Sequence, residues 1–233
     1  MSRDLLFEIG TEELPAWYVT EGSRALGSLL AERLAAAGLA PADVTVYATP
    51  RRLAALATGV PDRSAERVEE RRGPSVAVAF DAQGAPTRAA EAFARSSGVD
   101  VASLERRPTD KGDYVYARVR RGGEPAEEVL EGLLADLVGD LPAPRKMRWG
   151  EVDTAFVRPV AWLAARLGDA VVPVAAAGQV AGGASRGHRF LAPGEVELAS
   201  PADYAAALRR AWVVADEGER REETLRAVRA AAA

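Results

Sequence analysis

The links between this chain's apolar segments are short, which restricts how its strands can pair. Pro50-Arg51-Arg52 lies between a strand-like stretch at Val44–Tyr47 and another at Leu53–Thr58. Gly168-Asp169 separates Trp162–Leu167 from Val171–Ala175, and Asp110-Lys111-Gly112-Asp113 separates Ser103–Arg107 from Tyr114–Val119. A parallel crossover needs about a dozen residues or more, whereas links of a few residues make hairpins. The chain is therefore expected to be α+β, with mixed or antiparallel sheets and packed helices.

Helical segments alternate with these strands. Leu26, Leu29, Leu30 and Leu34 recur at helical spacing between Trp17 and Ala37, and Gly38 stands where a helix ends. Pro86 is placed to open a helix that reaches Ser97 before Gly98, and Pro125 one with Val129, Leu130, Leu133, Leu134, Leu137 and Val138 on a single face. A further helix is expected from Pro201 to Arg210, then a short strand at Trp212–Ala215 and a final helix capped by Asp216. Leu5, Phe7 and Ile9 alternate as a strand, and Val76–Phe80 also reads as one. The whole is expected to form one α+β region over 1–233, with two subdomains at about 1–150 and 151–233.

Composition removes several chemistries. The 233 residues include no cysteine and a single histidine, His188. Disulfides, thiolate metal sites and cysteine nucleophiles are excluded, and a histidine-rich metal site with them. A net charge of −4 excludes a uniformly basic nucleic-acid coat but permits a basic patch. The opening MSRDLLFEIGTEELP has early acids and no long apolar core, unlike a signal peptide, and no apolar run reaches the roughly 20 residues of a membrane span. A soluble, cytoplasmic protein with no membrane contact is the expectation. Neither G-x-x-x-x-G-K-[ST] nor G-x-G-x-x-G occurs, so the chain shows no nucleotide-binding loop of those kinds.

Four windows carry possible chemistry. Glu8, Glu12 and Glu13 gather near a strand end, either as an acid/base or metal group or as a solvated turn with one capping carboxylate. In Thr49-Pro50-Arg51-Arg52-Leu53 the proline forces an extended residue before it. The arginines then point to opposite faces, one able to hold phosphate while the other pairs with an acid. Pro144-Arg145-Lys146-Met147-Arg148-Trp149-Gly150 is the most basic short window, suited to an RNA backbone or to a strand with Met147 and Trp149 turned inward. Ser185-Arg186-Gly187-His188-Arg189-Phe190 sets the lone histidine between arginines, suited to structure or RNA contact more than to catalysis.

In order along the chain these windows resemble the glycyl-tRNA synthetase β subunit family. The resemblance runs through Leu6–Pro15, Ala48–Ala54, Arg72-Gly73-Pro74, Ala79-Phe80-Asp81, Pro86-Thr87, Phe93–Ser96 and Lys111-Gly112. It continues through Lys146–Gly150, Phe156–Val160, Arg186–Phe190, Tyr204, Val213, Ala215-Asp216 and Arg220-Arg221. It implies a tetramer of two α and two β subunits that joins glycine to tRNA(Gly). In such an enzyme the α subunit holds ATP with Mg2+, and this chain holds no cofactor and no metal. It also implies a fold like the B3/B4 region of phenylalanyl-tRNA synthetase β chains, with HD-type and anticodon-binding domains beyond this chain. The last helix has no stop signal, as expected of a fragment.

On charge and motif position the tRNA contacts would be Arg51, Arg52, Lys146, Arg148, Arg158, Arg186, His188 and Arg189, with no catalytic residue in the chain. Two other readings stay open. One is an α–β assembly module whose arginines pair with acids such as Glu12 and Glu13; the other is an editing-like hydrolase domain. Two positions depart from the family pattern: Ala161 follows Val160 where a histidine is expected, and Ser185 precedes Arg186 where threonine is expected.

Overall fold

A computed structural model describes residues 1–110 and 112–232. Lys111, and with it part of the expected turn at Asp110–Asp113 and of the Lys111-Gly112 motif, lies outside the described residues. The chain runs β1 (Ser2–Thr11), α1 (Ala16–Ala36), β2 (Asp43–Thr49), β3 (Arg52–Pro61), β4 (Arg67–Ser75), α2 (Val76–Ala79), α3 (Arg88–Ser97), β5 (Glu105–Thr109) and β6 (Gly112–Arg121). Then come α4 (Ala126–Asp140), β7 (Val160–Leu167), β8 (Ala170–Val171), β9 (Ala175–Ala176), β10 (Gln179–Val180), β11 (Ala184–Arg186), β12 (Glu195–Glu197), α5 (Tyr204–Arg210) and α6 (Glu217–Ala231). The fold is α+β, and the pairs between named strands are antiparallel.

Met1–Ser64 together with the chain from Glu124 onward form one compact unit, and Ala65–Gly123 form the other. This partition does not coincide with the expected boundary near residue 150.

The first unit is built on a five-stranded sheet ordered β2-β3-β1-β7-β8. β1 lies inside it, pairing with β3 on one side and β7 on the other. Both faces of β1 are buried, and the alternation of the strand sorts its residues between them. Leu5, Phe7 and Ile9 join the main core with Leu26, Leu30 and Leu34 of α1 and Leu130, Leu134 and Leu137 of α4. Leu6 joins a smaller cluster on the other face with Ala54, Ala164, Leu198, Tyr204 and Leu208. Fully burying a leucine or phenylalanine stabilises by about 1.5–3 kcal/mol, so the first cluster dominates the unit's stability.

α1 starts after Pro15 and ends in a left-handed turn at Gly38, φ 74°. Gly27 lets it approach β2: a Cβ there would stand 2.6 Å from Cγ1 of Val46. The second unit is a three-stranded sheet, β4-β6-β5, with Ala79, Ala90 and Val115 as its buried centre.

Three expectations are corrected. Val76–Ala79 is a single helical turn rather than a strand, closed by the Phe80 N–H donating to the Val76 carbonyl at 2.9 Å. Trp212–Ala215 forms no strand; it is the irregular link after α5. Arg145–Gly150 forms no strand either, only an isolated bridge between Met147 and Phe156, with Met147 41% exposed. β4 was not legible, because its residues are mostly charged and exposed; pairing with β6 and the Arg107–Glu70 ion pair hold it in place.

Candidate nucleic-acid interface

Glu8 is fully buried, on the less apolar face of β1. Its Oε1 accepts from Trp162 Nε1 and, at 2.6 Å, from Ser185 Oγ; its Oε2 accepts from the Tyr204 hydroxyl. The Arg52 guanidinium lies 3.6 Å from Oε2. Arg52 is 3% exposed, and its fork donates to Ser185 Oγ at 2.8 Å and to the Arg186 carbonyl at 2.6 Å. Ser185 thus accepts from Arg52 and donates to Glu8, using one hydroxyl both ways. Burial, with the Glu8 carboxylate beside it, pushes the Tyr204 hydroxyl well above the usual tyrosine range. The site joins β1, β3, β7, β11 and α5 through one carboxylate, in a place too dry to leave such a group unpaired.

Glu12 and Glu13 are exposed and take no part in this network. The three glutamates therefore do not act as one group. Among the described residues, no three His, Asp or Glu side chains are placed to hold a metal ion.

The motifs meet around this centre through backbone bonds. The Thr11 N–H donates to the Arg51 carbonyl at 2.8 Å, Leu14 to Pro50 at 2.6 Å, and Glu12 to Pro159 at 3.0 Å. Arg52 adds the link to Arg186. The Trp162 ring is surrounded by guanidinium groups, with Arg186 at 5.0 Å, Arg52 at 5.4 Å and Arg51 at 5.9 Å from its centroid.

Two adjoining hollows open beside it. One, of about 240 Å³, is lined by Glu13, Thr49–Arg52, Gly187–Arg189, Trp212–Val214 and Arg220. The other, of about 320 Å³, shares Arg51, Gly187 and Arg189 with it and adds Arg186, Pro193, Gly194 and Glu195. Arg52 is matched by Glu8, and Arg189 by Glu13 at 2.8 Å. Arg51 and Arg186 have no carboxylate partner among the described residues, so the cleft keeps positive charge facing solvent.

Five of the sequence-selected residues thus converge: Arg51, Arg52, Arg186, His188 and Arg189. Arg158 lies close by, its Nε donating to the Glu13 carbonyl at 3.2 Å. His188 shapes the loop, its Nδ1 accepting from the Phe190 and Leu191 N–H groups at 3.2 and 3.1 Å. Lys146 and Arg148 stand elsewhere. Lys146 caps the end of α4, donating to the Gly139 carbonyl at 2.6 Å, and Arg148 is exposed on the same loop. Neither shares a hydrogen bond or ion pair with the cleft among the described residues.

Ala161 borders a third hollow of about 340 Å³, with Trp162, Ser185, Arg186, Glu195 and Glu197 in its wall. Sequence reasoning did not select Trp212, which is 67% exposed on the cleft. Its one signal was a large aromatic just beyond a helix end.

No helix among the described residues is long and apolar enough to cross a membrane. The comparisons with known proteins place the chain among components of aminoacyl-tRNA synthetases. A family model described as glycyl-tRNA synthetase beta subunit matches residues 5–233, and the chain belongs to that family. It is 46% identical over 232 residues to the glycine–tRNA ligase beta subunit of Myxococcus xanthus, covering 100% of this chain and 33% of that protein. Proteins of the same name from Picosynechococcus sp. and Moorella thermoacetica are 44% and 42% identical, covering 98% and 95% of this chain and 32% of each relative. The chain spans about a third of the length of the curated relatives it matches.

Proposed function

We propose that this chain serves a glycine–tRNA ligase as the part of its β subunit that contacts tRNA(Gly), while an α subunit activates glycine with ATP and Mg2+. The supporting observation is the cleft in which Arg51 and Arg186 form no ion pair among the described residues, beside a buried network. Arginine forks suit phosphate oxygens, and backbone contacts position an RNA without reading its sequence. On this reading the assembly contains two α and two β subunits in the cytoplasm, and Arg51, Arg186 and Arg189 contact tRNA directly. Arg52 acts from beneath by holding the Arg186 backbone. Lys146, Arg148 and Arg158 stay candidates for a wider footprint.

The test is tRNA(Gly) affinity across a salt series in the assembled enzyme. Arg51→Gln and Arg186→Gln should each weaken binding and flatten the salt slope by about one counterion. Unchanged affinity and slope in the double variant would sink the assignment.

A second reading, that the motifs serve assembly with α, is favoured by the Arg189–Glu13 pair at 2.8 Å, which spends one candidate cation internally. It predicts that the same double variant loses α subunit on gel filtration and leaves tRNA affinity intact once assembled.

A further inference from the structure

α5 ends in a backbone turn that normally calls for glycine. The Val213 N–H donates to the Leu208 carbonyl at 2.9 Å and the Trp212 N–H to the Arg209 carbonyl at 3.1 Å, the paired bonds of a Schellman end. The residue at its left-handed position is Trp212, φ 63°. α1 and α3 close in the same way and place Gly38, φ 74°, and Gly98, φ 68°, at the equivalent position. A side chain there crowds its own carbonyl, which is why glycine is the usual occupant. Strain of this kind persists only where the surroundings fix the backbone. Here they do: Ala211 accepts from the His188 N–H at 3.0 Å, and Ala215 accepts from the Ala48 N–H at 3.1 Å.

The fold gains little burial from this tryptophan, because the residue is 67% exposed. It stands on the wall of the cleft that Arg51 and Arg189 also line. Phe190, on the neighbouring loop, is 78% exposed. A wide aromatic face on a fixed backbone, beside the Arg51 guanidinium that forms no ion pair among the described residues, is an arrangement that grips unpaired nucleotides, with the base on the ring and the phosphate on the cation. A base inside a duplex has no free face to offer.

We infer that Trp212 is a stacking surface for an unpaired nucleobase, and that this cleft takes a single-stranded segment of RNA, with Arg51 and Arg186 on its phosphates. The inference rests on the tRNA-contact reading above and narrows it to unpaired RNA.

The experiment uses the full-length β subunit assembled with its α partner. Fluorescence anisotropy follows a labelled single-stranded RNA of about eight nucleotides and a blunt, fully paired RNA duplex of about the same length. Trp212→Gly is the informative variant, because it relieves the strained backbone, so its thermal midpoint should hold or rise. It should weaken the single strand by roughly tenfold with the salt slope unchanged and leave the duplex alone, and Trp212→Phe should restore most of the loss. Equal binding of the single strand by the parent and Trp212→Gly overturns the inference. So does an equal loss for single strand and duplex, or a loss of α subunit with RNA binding intact, which would assign the indole to a protein contact. If Trp212→Gly is silent while Arg51→Gln and Arg186→Gln still weaken tRNA, stacking falls and the tRNA reading stands. If the arginine variants are silent too, both fall.

Discussion

Trp162 occupies the space that a side chain on Gly10 would need. The two residues are cross-strand neighbours on β1 and β7, and a Cβ at Gly10 would stand 1.9 Å from ring carbons of the indole. The same indole donates to Glu8 and carries the Arg51, Arg52 and Arg186 guanidinium groups around its ring. The absence of a side chain at Gly10 therefore sets where the arginines stand.

Gly10→Ala should then displace the indole, not merely crowd it. Overpacking a well-filled site costs about 1–3 kcal/mol. Urea unfolding should show a loss of that size together with a change in tryptophan emission. A variant with parent-like stability and emission would show that the ring moves aside freely.

Glu8 and Tyr204 separate two kinds of polar loss. Tyr204→Phe removes one donor from a carboxylate that keeps others, and should cost about 1–2 kcal/mol. Glu8→Gln leaves Arg52 buried without its counter-charge and turns an amide N–H₂ towards groups that also donate. Breaking a buried pair in this way costs about 3–5 kcal/mol. Chemical denaturation of both variants checks the order, and a Glu8→Gln milder than Tyr204→Phe would contradict it.

Alkaline pH should act through the buried tyrosines, Tyr204 and, separably, Tyr18. Burial pushes the Tyr18 hydroxyl up to about 12, and that oxygen has no hydrogen-bond partner. Below pH 10 the hydroxyl is protonated in both folded and unfolded chains. Between roughly 10 and 12 the unfolded chain releases its proton first, so stability falls as pH rises through that window. Tyr18→Phe removes its share of this loss and the unpaired hydroxyl together. Its denaturation midpoint should match or exceed the parent at pH 8 and exceed it by more at pH 11. The same difference at both values would rule out Tyr18 as a source.

Ala161 faces an open hollow, so Ala161→His should be tolerated. Substitutions away from tight packing usually change stability by less than about 0.5 kcal/mol. Thermal unfolding of this variant within a few degrees of the parent is the expected outcome. A large fall would mean that the hollow is needed empty.

The elements legible in the sequence were those with strong periodicity or clear punctuation. Leu26, Leu30 and Leu34 announced α1, the proline at 125 announced α4, and Gly168-Asp169 announced the turn after β7. β4 escaped because charge, not alternating hydrophobicity, fills it. Val76–Ala79 misled because β-branched residues favour strands, while hydrogen bonds from Phe80 and Thr87 close a helical turn there. For the site, the arginines were visible in motifs, and a partner acid was foreseen for one of the Arg51–Arg52 pair. Glu8 as that acid was not, since its donors lie 154, 177 and 196 residues away along the chain. No local pattern records a partnership over such spans.

Those spans also bear on how the chain is made. β1 precedes its neighbours in the sheet, residues 52–61 and 160–167, and Tyr204, whose hydroxyl completes Glu8's shell, follows later still. Until they emerge, an apolar strand with two open edges and a bare carboxylate waits in the nascent chain. Pairings so distant are slow to form and leave strand edges open to other chains meanwhile. The opening residues therefore depend on the last quarter of this region, so chains cut between Leu167 and Tyr204 should be recovered mainly as aggregates.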